Sequence, residues 1–113
     1  MVATYDDAAL VVQLVRWGTE LGLSDAIHTL LSEAFDPSVV STNDVAVRKV
    51  LEFGEVVGTL VKQNILNREL VLDLWWAAGA WERVSTAAEN ERERLGQPRL
   101  YENFEALAIA GNT

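Results

Sequence analysis

The sequence predicts an all-α fold, with five or six helices packed as a single compact bundle. Apolar residues recur at three- and four-residue steps through most of the chain, which is the period of a helix with one face toward a core. No segment alternates apolar and polar residues in the way that a half-buried strand does. Of 113 residues, 50% are apolar and only two are prolines. This length and composition predict one domain over residues 1–113 with flexible ends.

Caps and stops mark the first two helices. Thr4 and Asp7 have the spacing of a capping box, in which a hydroxyl and a carboxylate satisfy the free amides of a helix start. The first helix is therefore expected to run from this pair to about Leu21, with Gly22 as its stop. A second, shorter helix is expected to end just before Pro37, because the residue preceding a proline is disfavoured in helical geometry.

A loop over residues 37–43 is expected to precede the third helix. Ser41 and Asp44 repeat the capping-box spacing, which places the start of the helix at this pair. Apolar residues form two stripes on this helix, so it is predicted to be the central one. Gly54 and Gly58 would each cost about 1 kcal/mol relative to alanine in an exposed helix. We therefore expect another helix to cross close to them.

The segment from Asn67 to Leu95 holds three of the four tryptophans and no proline. Asn64 is expected to end the preceding helix in a left-handed conformation, and Asn67 to cap the next one. A straight helix of this length would span roughly 40 Å at 1.5 Å per residue, whereas a compact domain of this size is roughly 34 Å across. A bend or break near Gly79 is therefore predicted.

A short final helix is predicted over residues 100–110. Gly96 and Pro98 provide the stop that separates it from the tryptophan-rich helix. Its apolar residues are spaced to face the core. The three residues after it, numbered 111–113, are expected to fray.

Composition and charge exclude several classes of function. The formal charge of −8 at pH 7 repels nucleic-acid phosphates and anionic lipids, so we expect neither a nucleic acid nor a membrane as partner. The absence of cysteine removes disulfide scaffolds, zinc ribbons and thiol catalysis. The N-terminal residues are acidic where a signal peptide is basic, and apolar runs fall short of the ~18 residues that span a bilayer. A cytoplasmic location is expected.

The sequence offers no metal site and no catalytic set. Glu52 with Glu55, and Glu102 with Glu105, place paired carboxylates on neighbouring helical turns, as di-iron bundles do. Such bundles also need two Glu-x-x-His pairs, and the only histidine is His28. No serine or threonine has a histidine partner within a recognisable motif. We therefore predict no cofactor, no metal ligand and no catalytic residue.

Four charged residues are candidates for a buried charge network. A helix-borne carboxylate in apolar surroundings needs a hydrogen-bonded cationic partner. Arg83 and Arg92 are the nearest such partners for Glu55 and Glu105. The predicted network consists of Glu55, Arg83, Arg92 and Glu105.

Four motifs lie in the second half of the chain: FGEVVG over 53–58, WER over 81–83, ERERLG over 91–96 and YENFEALA over 101–108. Together they resemble those of a widespread family of small all-helical bacterial domains of unknown function. The resemblance covers about residues 47–108 and implies a Trp-bearing helix, an Arg-bearing segment and a terminal Phe-Glu-x-Leu helix. It departs at Asn64, where such turns usually carry glycine. Because that family has no established activity, the resemblance implies no catalytic residue.

The preferred functional interpretation is a structural or protein-interaction module. Helical periodicity places Trp76 opposite the core stripe, and tryptophan is enriched in interface hot spots. The partner is expected to be a second copy of the chain, as a homodimer, or another protein. The predicted interface consists of Asp73, Trp76, Ala80 and Arg83.

The alternative interpretation is a small-molecule binding protein or weak enzyme. Its pocket would combine an aromatic wall with charged groups that orient a ligand. The aromatic residues proposed for it are Trp17, Trp75, Trp81, Tyr101 and Phe104. The charged residues are those of the predicted network, Glu55, Arg83, Arg92 and Glu105.

Overall fold

The computed structural model describes residues 2–111, and this part of the chain contains six α-helices and no strand. The all-α prediction is therefore confirmed. Of residues 111–113, which were expected to fray, Gly111 is instead the last residue of α6, and residues 112 and 113 lie outside the described part. The helices are α1 (Tyr5–Leu21), α2 (Leu23–Leu31), α3 (Val45–Lys62), α4 (Arg68–Leu74), α5 (Ala77–Leu95) and α6 (Glu102–Gly111).

Helix α3 is central, as its two apolar stripes predict. It packs mainly against α6 and α2, and also against α5. Val47, Val50 and Leu51 of α3 are fully buried, and they meet Leu30 of α2 and Phe104 of α6 in one core. In contrast, α1 packs mainly against α2, and its only buried residues are Asp7 and Gly18. The first helix is therefore the least deeply packed of the long helices.

Three of the predicted helix start and stop signals are observed. Thr4 and Asp7 form a complete capping box at the start of α1, with the Asp7 N–H donating to the Thr4 hydroxyl at 3.2 Å. Gly22 ends α1 at a φ of 73°, and Asn64 ends α3 at a φ of 59°. Both angles lie in the left-handed region, where glycine and asparagine carry the smallest steric penalty.

The loop before α3 is longer than predicted, because α2 ends at Leu31 and α3 begins at Val45. The predicted cap at Ser41 is wrong. Asp44 caps α3 by accepting a hydrogen bond from the Val47 N–H at 3.1 Å. The Ser41 hydroxyl instead accepts from the Asn43 N–H at 3.1 Å, within the loop.

The tryptophan-rich segment is broken, as predicted, and the break lies at Trp75 and Trp76, just ahead of Gly79. Trp75 has extended backbone angles, with φ −134° and ψ 127°. Trp76 has φ −80° and ψ 73°. Gly79 lies in the first turn of α5 and is itself helical.

Candidate functional site

The break between α4 and α5 sends two adjacent tryptophan side chains to different sides of the backbone. Successive side chains alternate in extended backbone, whereas in a helix they differ by about 100°. Trp75 turns inward, where its ring stacks on Phe104 with centroids 5.4 Å apart and meets Phe53 edge-on at 5.3 Å. Trp76 turns outward and is 68% exposed.

The aromatic residues predicted to line a pocket instead form most of a row of touching rings through the core. The row runs from Trp17 to Phe53, Trp75, Phe104 and Trp81, with neighbouring centroids 5.2 to 5.4 Å apart. These rings fill space against one another and do not together enclose a pocket, but Trp75 also lines the two grooves described below.

Tyr101, the fifth of the predicted pocket residues, lies beside this core and outside the row. It adopts a left-handed backbone conformation with φ 61° just before α6. Burial raises the pKa of its phenol, and the carboxylates of Glu91, Glu52 and Glu55 raise it further.

Trp76 is exposed, and a glycine beneath it fixes where its ring lies. A Cβ built on Gly79 would lie 2.4 Å from atoms of the Trp76 indole. The indole therefore rests directly on the backbone of the first turn of α5, in a place that only glycine leaves open. The Trp76 ring therefore contacts Gly79 and is otherwise largely presented to solvent.

The four residues of the predicted interface do not share one exposed face. Asp73 and Trp76 are exposed, but Ala80 is buried. Arg83 is half-buried: its Nε donates to the Leu30 carbonyl at 2.8 Å, and its guanidinium lies 5.6 Å from the centre of the Phe35 ring. The break rotates α4 relative to α5, so the periodicity of one continuous helix does not apply across it.

The structure instead places other apolar side chains beside Trp76. Two adjoining grooves share Ile27 and Trp75 in their walls. Leu31 and Trp76 line one groove, Leu74 lines the other, and these three side chains are 46%, 68% and 64% exposed. We call Leu31, Leu74 and Trp76, together with the groove that Leu31 and Trp76 line, the Trp76 surface.

The predicted charge network separates into independent contacts. Arg92 and Glu105 form an ion pair at 3.0 Å, as predicted. The same arginine donates to the Leu100 carbonyl at 2.6 Å and lies 5.6 Å from the centre of the Trp81 ring. Arg83 instead donates to the Leu30 carbonyl near the end of α2 and is not paired with Glu55 or Glu105. Within residues 2–111, the ion pair that these four residues form is therefore Arg92–Glu105.

Glu55 binds backbone amides, which sequence reasoning missed. Its Oε1 accepts from the N–H groups of Asn103 and Phe104, both at 3.0 Å. Its Oε2 accepts from the Asn103 side-chain amide at 3.0 Å. The carboxylate thus caps the first turn of α6 from a different helix. No local pattern encodes this contact, because Glu55 and Asn103 are far apart in sequence.

The described residues contain neither a metal-binding cluster nor a membrane-spanning helix. Within residues 2–111, no group of three His, Cys, Asp or Glu side chains is arranged to hold a metal ion. Three of the four carboxylates in the pairs Glu52 with Glu55 and Glu102 with Glu105 bind other partners. Glu55 accepts from the N–H groups of Asn103 and Phe104, Glu102 pairs with Arg99 at 2.8 Å, and Glu105 pairs with Arg92. No helix in this part of the chain has both the length and the apolarity needed to cross a bilayer.

Comparison with known proteins identifies a family and no characterised relative. No curated protein and no solved structure matches the chain. One family model matches residues 23–110, from the first residue of α2 almost to the end of α6. This span contains all the motifs on which the resemblance rests, and it leaves α1 outside. The chain therefore belongs to the family described as Domain of unknown function (DUF4760).

Proposed function

We propose that this protein is a protein-interaction module that self-associates through the Trp76 surface. The observation that carries the proposal is the exposed Trp76 indole resting on Gly79. Large exposed apolar side chains that cluster together are typical of surfaces that bind another protein. Tryptophan is among the residues most enriched in the energetic centres of such interfaces.

The contact of the Trp76 indole with Gly79 favours binding. A side chain that is already ordered loses little conformational entropy when a partner covers it, which otherwise costs about 0.5–1.5 kcal/mol. Leu31 lines the same groove as Trp76, and a partner side chain can insert there, while Leu74 lines the adjoining groove. The surface therefore combines an aromatic anchor with an adjacent concave site, the arrangement found at interface hot spots.

A second copy of the chain is the partner we propose, because two-fold homodimers are the commonest oligomers. Two subunits that each carry a charge of −8 repel one another, so the contact must be mainly apolar. Added salt screens that repulsion over a Debye length of about 10 Å at 0.1 M and should strengthen association. A contact dominated by ion pairs would weaken instead.

Sedimentation equilibrium tests the proposal. The wild-type chain should show concentration-dependent dimerisation that strengthens between low and high salt. Trp76→Glu should be monomeric under the same conditions. Val56→Glu is the matched control, since Val56 is 43% exposed on α3 and lines neither groove. A wild-type monomer at every concentration and salt level would overturn the proposal, as would equal dissociation by both substitutions.

A further inference from the structure

The groove that Leu74 lines, next to the Trp76 surface, is a cavity of about 370 Å³ between α1 and the helices beneath it. Four helices contribute to its walls. Val11 and Gly18 come from α1, Ile27 from α2, Val57 from α3 and Val71 from α4, with Trp75 at the end of α4. Val57 and Val71 are buried, whereas Val15 of α1 is 62% exposed at the rim. The cavity is therefore closed at its base and reachable from solvent.

The cavity wall is apolar except at one end. Its polar side chains are Thr19, Ser24 and His28, and they lie on either side of the Gly22 corner between α1 and α2. The Thr19 hydroxyl donates to the Val15 carbonyl at 3.0 Å and retains its capacity to accept. Within residues 2–111, the Ser24 hydroxyl and the His28 ring show no hydrogen bond to protein. This end of the cavity thus presents both donors and acceptors.

Among residues 2–111, no carboxylate, ammonium or guanidinium group lines the cavity. An anionic ligand would therefore gain no cationic partner, whereas an uncharged polar end can form hydrogen bonds with Ser24 and His28. The net charge of −8 further disfavours anions. The lining therefore fits a ligand that has an uncharged polar end and an apolar remainder.

We propose that this cavity binds a small uncharged molecule with an apolar chain and one hydroxyl-like end. The volume lies within the range of ligand pockets and holds about a dozen groups at roughly 30 Å³ each. The chain would lie along Val11, Val57 and Val71, and the polar end would meet Ser24 and His28. Helix α1, which supplies one wall, precedes the matched region 23–110. Leu74 lines this cavity and also belongs to the Trp76 surface, but the ligand proposed here binds a single copy of the chain.

Isothermal titration calorimetry with 1-decanol and with decanoate tests the site. The two probes share a ten-carbon chain and differ in the charge of the polar end. Wild-type protein should bind 1-decanol, and it should bind decanoate at least about tenfold more weakly because a carboxylate has no cationic partner there. Absence of 1-decanol binding, or decanoate binding of equal or greater strength, would overturn the proposal.

Two substitutions that fill the cavity locate the binding. Val57→Phe at the base and Val11→Trp at the mouth should each weaken 1-decanol binding by about tenfold or more, because the added side chain takes the ligand's volume. Val11 is only half-buried, so Val11→Trp decides the matter if Val57→Phe fails to fold by circular dichroism. Val56→Phe, outside the cavity, is the matched control. Equal binding by Val11→Trp and wild type would place 1-decanol elsewhere and overturn the proposal.

Two further variants separate the polar end and the Trp76 surface. Ser24→Ala should weaken 1-decanol binding a few-fold and leave the helix content unchanged, since Ser24 is exposed outside its contact with the cavity. Trp76→Glu should bind 1-decanol at least as tightly as wild type, because Trp76 is not part of this wall. Loss of binding in Trp76→Glu would overturn the assignment of the cavity as the site.

Discussion

Gly58 of α3 lies directly against the backbone carbonyl of Asn103 in α6. A Cβ built on Gly58 would lie 2.3 Å from the Asn103 oxygen. One turn earlier, a Cβ on Gly54 would lie 2.3 Å from the Phe104 ring. The two glycines therefore form the groove in which α6 crosses α3, and this close crossing explains why helix-weakening residues occur in the central helix.

Gly58→Leu is expected to lower the free energy of unfolding by about 3 kcal/mol, because α6 must move away from α3 to admit the side chain. Chemical denaturation followed by circular dichroism measures the change. Ala106→Leu, on the exposed face of α6, adds the same side chain where space is open and should be nearly silent. Equal stability of Gly58→Leu and wild type would contradict the close crossing.

Glu55→Ala should loosen the first turn of α6. The carboxylate accepts from the N–H groups of Asn103 and Phe104, and losing such a cap typically costs about 0.5–2 kcal/mol. Hydrogen exchange at those two amides should accelerate more than exchange in the middle of α3. Glu52→Ala removes an exposed carboxylate one turn away and is the matched control. Unchanged exchange at both amides would show that Glu55 is not the cap.

The elements that sequence reasoning placed well are those encoded locally. The capping box at Thr4 and Asp7, the left-handed stop at Asn64 and the central position of α3 all depend on residues within a few positions of one another. The role of Glu55 depends on Asn103 instead, and no local spacing contains that pairing. The cavity under α1 is equally non-local, because residues from four helices build it.

Glu105→Gln tests the ion pair between Arg92 and Glu105. The Arg92 side chain is 15% exposed and that of Glu105 is 35% exposed, so solvent screens the pair in part. We expect a loss of about 1 kcal/mol in the free energy of unfolding, because Arg92 keeps its burial and loses its charged partner. Glu102→Gln breaks the more exposed pair with Arg99 and should cost less. A larger loss from Glu102→Gln would contradict this ranking.

Gly79→Ala should displace the Trp76 indole. Alanine normally stabilises a helix by up to about 1 kcal/mol over glycine, but here its Cβ would overlap the indole at 2.4 Å. The substitution should therefore shift tryptophan fluorescence and weaken the proposed self-association while the helix content is retained. The same measurements of fluorescence and self-association on Trp76→Phe, which has a smaller ring, provide the comparison. Unaltered fluorescence would show that Trp76 does not rest on Gly79.

The position of the break shows where periodicity misleads. The molecule is 41 Å in its longest dimension, so a straight helix of roughly 40 Å would fit and length alone does not require a break. The break instead lets Trp75 enter the aromatic row while Trp76 lies over Gly79. The predicted interface applied the helical period from Asp73 to Arg83, so it grouped Asp73 with Ala80, which the break separates. Gly79, three residues after Trp76, was the sequence feature that indicates contact between this ring and the backbone.

The last prediction concerns pH and the attachment of α1, in which Asp7 is the main polar anchor. Its Oδ2 accepts from the Thr4 N–H at 2.7 Å, and its Oδ1 accepts from the Asn67 N–H at 2.9 Å. The Thr4 N–H and then the Asn67 N–H hold the pKa of the Asp7 carboxyl below its ordinary value of 3.8. A lowered folded-state pKa means that this stabilisation is complete above the ordinary pKa and is lost as pH falls through the folded-state pKa. The amides of α1 should therefore exchange faster below about pH 4, relative to those of α3.

Two substitutions test whether Asp7 causes this pH dependence. Asp7→Asn should show faster α1 exchange already at neutral pH and little further change on acidification. Asp6→Asn, at an exposed neighbour, should behave as wild type. An acid transition of α1 that is the same in wild type and Asp7→Asn would assign the pH dependence to another group.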